Sequence, residues 1–155
     1  MNRISSHQYF LEIASTIAKR STCLRHKVGC IFVKDNQILS TGYNGAARGL
    51  EHCLDIGCIR HDNNIESGKN HEICRAIHAE MNAIINAAKQ GTSIKNAVCY
   101  CTHVPCIICM KMLINSEIKE IYYIYDYPNE EINSIIGQHN IKIFQLTNDL
   151  GIVKL

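Results

Sequence analysis

Ala97-Val98-Cys99-Tyr100-Cys101-Thr102 leads into Pro105-Cys106-Ile107-Ile108-Cys109-Met110, and Ile118-Lys119-Glu120-Ile121-Tyr122-Tyr123-Ile124-Tyr125 follows. The outer two stretches are rich in β-branched and aromatic residues, which fit a pleated, half-buried surface, and both read as strands. The middle stretch opens on a proline, whose fixed φ suits a helix's first turn, and reads as a helix to about Asn115. The chain extends this alternation in both directions. Beyond it come a helix over 129–139 and a strand over 141–146. Before it, residues 79–90 read as a helix with Gly91 as its stop. Residues 28–42 read as a β-hairpin turning at Asp35-Asn36. Phe10, Ile13, Ala14 and Ile17 repeat at helical spacing, so 6–20 is a helix capped by Ser5 or Ser6. One helix, two strands and three helix–strand pairs predict an α/β fold. It is a three-layer α/β/α arrangement, one mixed five-stranded sheet with helices on both faces. Residues 43–77, rich in Gly, Asn and His, read as a long loop, and loops of that length are usually functional.

The chain has 155 residues, which predicts a single domain over 1–155. Hydrophobic residues make up 46% and charged residues 19%, a globular composition and not a disordered one. No apolar run approaches the roughly 20 residues of a membrane span. The start of the chain has no apolar signal segment, so a cytoplasmic protein is expected. A net charge of +2 is far from the basic stripe of a nucleic-acid binder. Residues 129–140 carry Glu130 and Glu131 and no Lys or Arg, so no RNA-binding helix is expected there.

Nine cysteines are an odd number in a chain with no secretory feature, which makes a disulfide framework a poor reading. Cys30, Cys99 and Cys101 lie in apolar strand-like runs and are expected to be small buried hydrophobes. Cys106 and Cys109 are three apart on a helix, so their sulfurs share a face. With His78 they make a three-ligand zinc site with one position open, the arrangement a catalytic zinc keeps. His78 and Glu80 are two apart and would not share a face of a regular helix. His78 is therefore expected at an irregular first turn. Both ligand segments then lie at helix N-termini, whose positive ends favour thiolates. The competing reading is a structural zinc knuckle with Glu80 in solvent, which needs a fourth protein ligand.

His78-Ala79-Glu80 paired with Pro105-Cys106-Ile107-Ile108-Cys109 is the signature of zinc-dependent nucleoside and nucleotide deaminases. Further stretches narrow it: Arg20-Ser21-Thr22-Cys23-Leu24-Arg25, Gly42-Tyr43-Asn44-Gly45, His52-Cys53 and Cys101-Thr102-His103-Val104-Pro105-Cys106. With these the chain resembles the prokaryotic deoxycytidylate (dCMP) deaminases over about residues 20–127. The resemblance implies a cytidine-deaminase-like fold and hydrolysis of dCMP to dUMP and ammonia, supplying dUMP for thymidylate synthesis. It implies one catalytic zinc, with Glu80 moving protons between water and the pyrimidine. It also implies that Asn44 holds the sugar hydroxyl and that Arg25 and Tyr127 lie near the 5′-phosphate. Pro128 stands where many relatives carry an arginine, so His71, Arg48 or a neighbouring subunit is expected to complete phosphate binding. Some relatives carry a second, structural zinc on residues matching Cys23, Cys53 and His71, with Cys74 available as the fourth ligand. Cys58 and His61 lie in the same loop. His71 cannot easily serve both zinc and phosphate, so those readings compete. Relatives form homo-oligomers, hexamers among them, and respond to dCTP and dTTP, for which 42–49 is a candidate region. Two alternatives stay open: action on another cytosine nucleotide or nucleoside, and a non-catalytic, zinc-stabilised interaction protein.

Overall fold

The computed structural model describes residues 3–126, 132–139, 141–147 and 152–154, the last of these segments by backbone alone. The expected helices and strands are present, with boundaries moved by a residue or two. Helix α1 (Ser6–Ala18) starts at Ser5, whose hydroxyl accepts from the Gln8 amide at 3.1 Å. Strands β1 (Gly29–Lys34) and β2 (Gln37–Tyr43) form the hairpin. Its turn residues Asp35 and Asn36 have φ of 51° and 60°, the left-handed pair a tight hairpin requires. Helix α4 (Ala79–Gln90) ends at Gly91, whose φ of 65° lets the chain leave the helix. Strand β5 (Val98–His103), helix α5 (Ile107–Asn115) and strand β6 (Glu120–Tyr125) follow. Helix α6 (Ile132–His139), strand β7 (Lys142–Leu146) and strand β8 (Ile152–Lys154) complete the order. The first residues expected in α6 lie outside the described ones.

The main sheet runs β2-β1-β5-β6-β7-β8. It is mixed: β5, β6 and β7 are parallel, and the other neighbours are antiparallel. The five expected strands are all there, and β8 adds a short sixth at one edge. Strand alternation divides the core between two faces. Cys30, Phe32, Cys99, Cys101, Ile121, Tyr123 and Ile143 meet α4, α5 and α6 on one face. Ile31, Val33, Tyr100 and Tyr122 meet Phe10 and Leu11 of α1 on the other. Cys30, Cys99 and Cys101 are each fully buried, as their apolar surroundings predict, and all nine cysteines are free thiols.

Three departures have local causes. The helix after Pro105 begins at Ile107 with Cys106 as its cap, so the proline stands just before the helix and not inside its first turn. The 43–77 stretch contains a two-residue strand pair, β3 (Gly45–Ala46) with β4 (Ala76–Ile77). It also contains single helical turns, α2 (Cys53–Ile56), α3 (Ile59–Asp62) and a 3₁₀ turn at His71–Ile73. One turn is too short to carry a readable hydrophobic period.

Two features fix where α4 sits. A β-carbon on Gly42 would stand 2.2 Å from the Ala79 carbonyl and 2.4 Å from the Ala83 nitrogen, so only glycine lets β2 and α4 approach this closely. The side-chain amides of Asn82 and Asn86 donate to the Tyr43 and Thr41 carbonyls, each at 2.8 Å. Four helical residues rise about 6 Å and two strand residues span about 6.6 Å. The two asparagines therefore match alternate carbonyls on the edge of β2.

Candidate active site

His78 is the N-cap of α4, with extended backbone (φ −69°, ψ 158°), and Cys106 is the N-cap of α5 in the same conformation (φ −67°, ψ 166°). Each cap carbonyl still accepts the first helical bond, from Asn82 N at 3.0 Å and Met110 N at 2.8 Å. The irregular position expected of His78 is thus a helix cap, and the two helices start side by side. His78 Nδ1 lies 3.4 Å from Cys106 Sγ and 3.4 Å from Cys109 Sγ. All three donor atoms lie within 4.8 Å of one another, the one group of metal-ligand type so arranged among the described residues. A tetrahedral zinc with Zn–N near 2.0 Å and Zn–S near 2.3 Å would set nitrogen and sulfur about 3.5 Å apart. The spacing and the donor set both fit zinc.

Electrostatics at the cradle follow from burial and proximity. The two thiols share a proton: the pair gives up its first far below the ordinary range, Cys106 being pushed down to about 3. The hydrogen bond from Cys109 is the main cause, with His78 assisting. The second proton, on Cys109, is held far above that range for the same reason. Glu80 is only 4% exposed in the first turn of α4. Burial raises its pKa, and His78 opposes that rise without cancelling it.

These groups open into one cleft, whose empty space is about 690 Å³ when the solvent at its open mouth is counted. Asn44 lines it, 7% exposed, but its amide is partly committed. Oδ1 accepts from Val28 N at 2.9 Å and Nδ2 donates to the His26 carbonyl at 2.8 Å. One N–H and one lone pair remain for a ligand. Arg25 also lines the cleft, yet its guanidinium donates to the Ile65 carbonyl at 2.7 Å and to Ser67 Oγ at 3.4 Å. It braces the loop that forms the rim. Tyr127, together with Pro128, lies outside the described residues. Arg48 is not in the cleft; it lines a separate recess with Arg20, His52 and Lys89.

Cys23, Cys53, His71 and Cys74, the expected second metal set, all line the cleft. His71 packs edge-on against His78, ring centroids 4.9 Å apart. Cys23, Cys53 and Cys74 line the cleft wall together with Cys58, which the sequence placed in the loop without a role. Burial raises the Cys53 pKa, and Cys58, Cys23 and Cys74 raise it further. The four thiols share one cleft, but among the described residues only His78, Cys106 and Cys109 bring three metal-ligand atoms within 4.8 Å of one another. Sequence reasoning also missed Arg60, His26 and His103, which line the same cleft. Arg60 follows Cys58 by two residues in a single helical turn, where no periodicity announces it.

Residues 4–125 match the family described as cytidine and deoxycytidylate deaminase zinc-binding region. The chain is 39% identical over 156 residues to ComE operon protein 2 of Bacillus subtilis, covering 100% of this chain and 78% of that protein. It is 39% identical over 125 residues to the deoxycytidylate deaminase of Schizosaccharomyces pombe, covering 81% of this chain and 38% of that protein. The crystal structure of dCMP deaminase from the cyanophage S-TIM5, in complex with dCMP and dUMP, superposes with a TM-score of 0.77 at 28% identity. That match covers 94% of this chain and 99% of the phage chain.

Proposed function

The chain belongs to the cytidine and deoxycytidylate deaminase zinc-binding family, and from that premise we propose that it hydrolyses dCMP to dUMP and ammonia, supplying dUMP for thymidylate synthesis. The observation that carries this reading is the buried Glu80 carboxyl two residues beyond His78, whose Nδ1 stands 3.4 Å from both cysteine sulfurs. His78, Cys106 and Cys109 hold the zinc. When bound, zinc lowers the pKa of a coordinated water towards neutrality. The chain's own residues do the rest. Glu80 accepts the water proton and delivers it to the pyrimidine N3, then carries a proton to the departing amine. Its dry position suits this, because a raised carboxyl pKa lets one group act as base and acid in turn. Asn44 offers its remaining N–H and lone pair to the sugar hydroxyl, Arg25 braces the rim beside the phosphate, and Tyr127, outside the described residues, is proposed to contact the same phosphate.

The zinc-loaded chain should release ammonia from dCMP in preference to CMP, deoxycytidine and dCTP. Ammonia from none of the four would overturn the reading and leave the zinc-stabilised interaction protein. Glu80→Gln should keep zinc and lose about 10²–10⁴ in kcat, the usual yield of general acid–base help. A variant with full zinc and near wild-type turnover would remove Glu80 from the mechanism.

Three finer parts belong to the same proposal. A second, structural zinc is held by Cys23, Cys53, His71 and Cys74, a donor set typical of closed structural sites. Native metal analysis should then find about two zincs per chain. The cationic recess lined by Arg20, Arg48 and Lys89 is the place for dCTP and dTTP, whose triphosphates need positive charge. The chain works in the cytoplasm as a homo-oligomer, with a hexamer expected by light scattering. Among the described residues, no helix is long and apolar enough to cross a membrane.

A further inference from the structure

Arg60 is 6% exposed. Burying a guanidinium is costly unless something compensates its charge. Its Nη2 donates to the Glu66 carbonyl at 3.1 Å. Its Nε is buried and meets no acceptor, and no ion pair involves it among the described residues. The side chain lines the cleft with His26, His71, His78 and Glu80. Its charge bears on His26, as that of Arg25 does, and also on His71 and His78. Two guanidinia therefore line the cleft, and neither forms an ion pair among the described residues. Arg25 commits two of its five N–H donors to the 65–67 loop, and Arg60 commits one, on Nη2, leaving its Nε–H and the second Nη2 hydrogen for a ligand.

We propose that Arg60 is the phosphate anchor of this cleft, taking two oxygens of the substrate's 5′-phosphate monoester on Nε and an adjacent Nη. The assignment rests on the dCMP reading above and deepens it. An Nε–H beside an Nη–H presents two parallel donors at the spacing of two phosphate oxygens, the geometry that makes such pairs strong and selective. The dianion supplies the charge that the buried guanidinium lacks. Arg60 therefore sets the preference for a nucleotide over a nucleoside, and Arg25 positions the rim around it.

The test compares kcat/KM for dCMP with kcat/KM for deoxycytidine in the zinc-loaded full chain. Arg60→Gln should lower the dCMP value by about 10²-fold and shrink the dCMP-to-deoxycytidine ratio by at least about tenfold. Arg60→Lys keeps the charge and loses the fork, so the KM for dCMP should rise roughly tenfold more than the KM for deoxycytidine. Arg25→Gln should depress both substrates together. If both Arg60 variants retain zinc and lower the two substrates equally, the arginine is only a loop brace and the proposal fails. If Arg60→Gln does not fold, Arg60→Lys decides alone. Should the wild-type chain not deaminate dCMP, the dCMP reading fails instead. Calorimetry with dCMP then decides for Arg60: equal binding by wild type and Arg60→Lys overturns the anchor.

Discussion

His103 sits at the end of β5, where its Nδ1 shares a hydrogen bond of 3.0 Å with Thr102 Oγ1. Its ring meets Tyr125 and His26 at centroid distances of 5.2 and 5.9 Å. Burial, then the neighbouring His26, lowers its pKa from 6.5 to about 4. Between those values the unfolded chain binds a proton that the folded chain refuses, so stability rises with pH across the window and is lost on acidification. His7 and His26 are also lowered, chiefly by burial, and add to the same slope. His103→Gln should therefore flatten the fall in Tm between pH 6.5 and 4, measured against wild type with the same zinc content. A parallel pair of curves would mean that His103 titrates normally. At this scale the sequence was most legible where residues carry chemistry in a short motif. His78, Cys106 and Cys109 are named by residue type and spacing, and Glu80 by the family signature that the chain resembles. Arg60 and Cys58 are not, because what singles them out is burial beside groups far away in the chain. Arg25 does line the cleft, but nothing in the order of residues tells that its donors are already engaged by Ile65 and Ser67.

Among the elements, the seat of α4 on β2 decides whether Glu80 reaches the cleft. Gly42→Ala forces a β-carbon against main chain, which has no flexible end to move aside. It should cost about 1–3 kcal/mol, read as a Tm roughly 2–12 °C lower, and reduce turnover by displacing the start of α4. Gly137 is the internal control. It lies exposed in α6, where an added β-carbon would meet nothing within 4 Å. Gly137→Ala should stabilise the chain by about 0.5–1 kcal/mol, the same substitution with the opposite sign. If both variants shift Tm alike, the close approach at Gly42 is not what holds the helix. The hairpin, α4 and the β5–α5–β6 succession were all readable, because turn residues, caps and periodicity agree there. The β3–β4 pair and the single turns inside 43–77 were not. Two-residue strands and one-turn helices are held by the tertiary contacts around them and have no local signature.

The whole molecule divides its labour between a rigid sheet and the irregular 43–77 segment. The sheet and its helices carry the cradle, and the segment contributes Asn44, Cys53, Cys58, Arg60, His71 and Cys74 to the cleft. Metal should therefore support the two parts differently. Chelation should lower the global Tm, because ligands on two helix starts lose their common partner. It should also open 43–77 to limited proteolysis before the rest of the chain. Equal resistance with and without chelator would count against a second metal held by Cys23, Cys53, His71 and Cys74. The sheet itself has one guarded border. With the Thr41 and Tyr43 carbonyls taken by asparagine amides, that margin presents fewer free acceptors to a foreign strand. Templated growth from that side, the path by which exposed sheets become fibrils, is obstructed by the very helix that delivers Glu80. A change that loosens this helix should thus cost more than turnover: it should also leave the chain prone to precipitate.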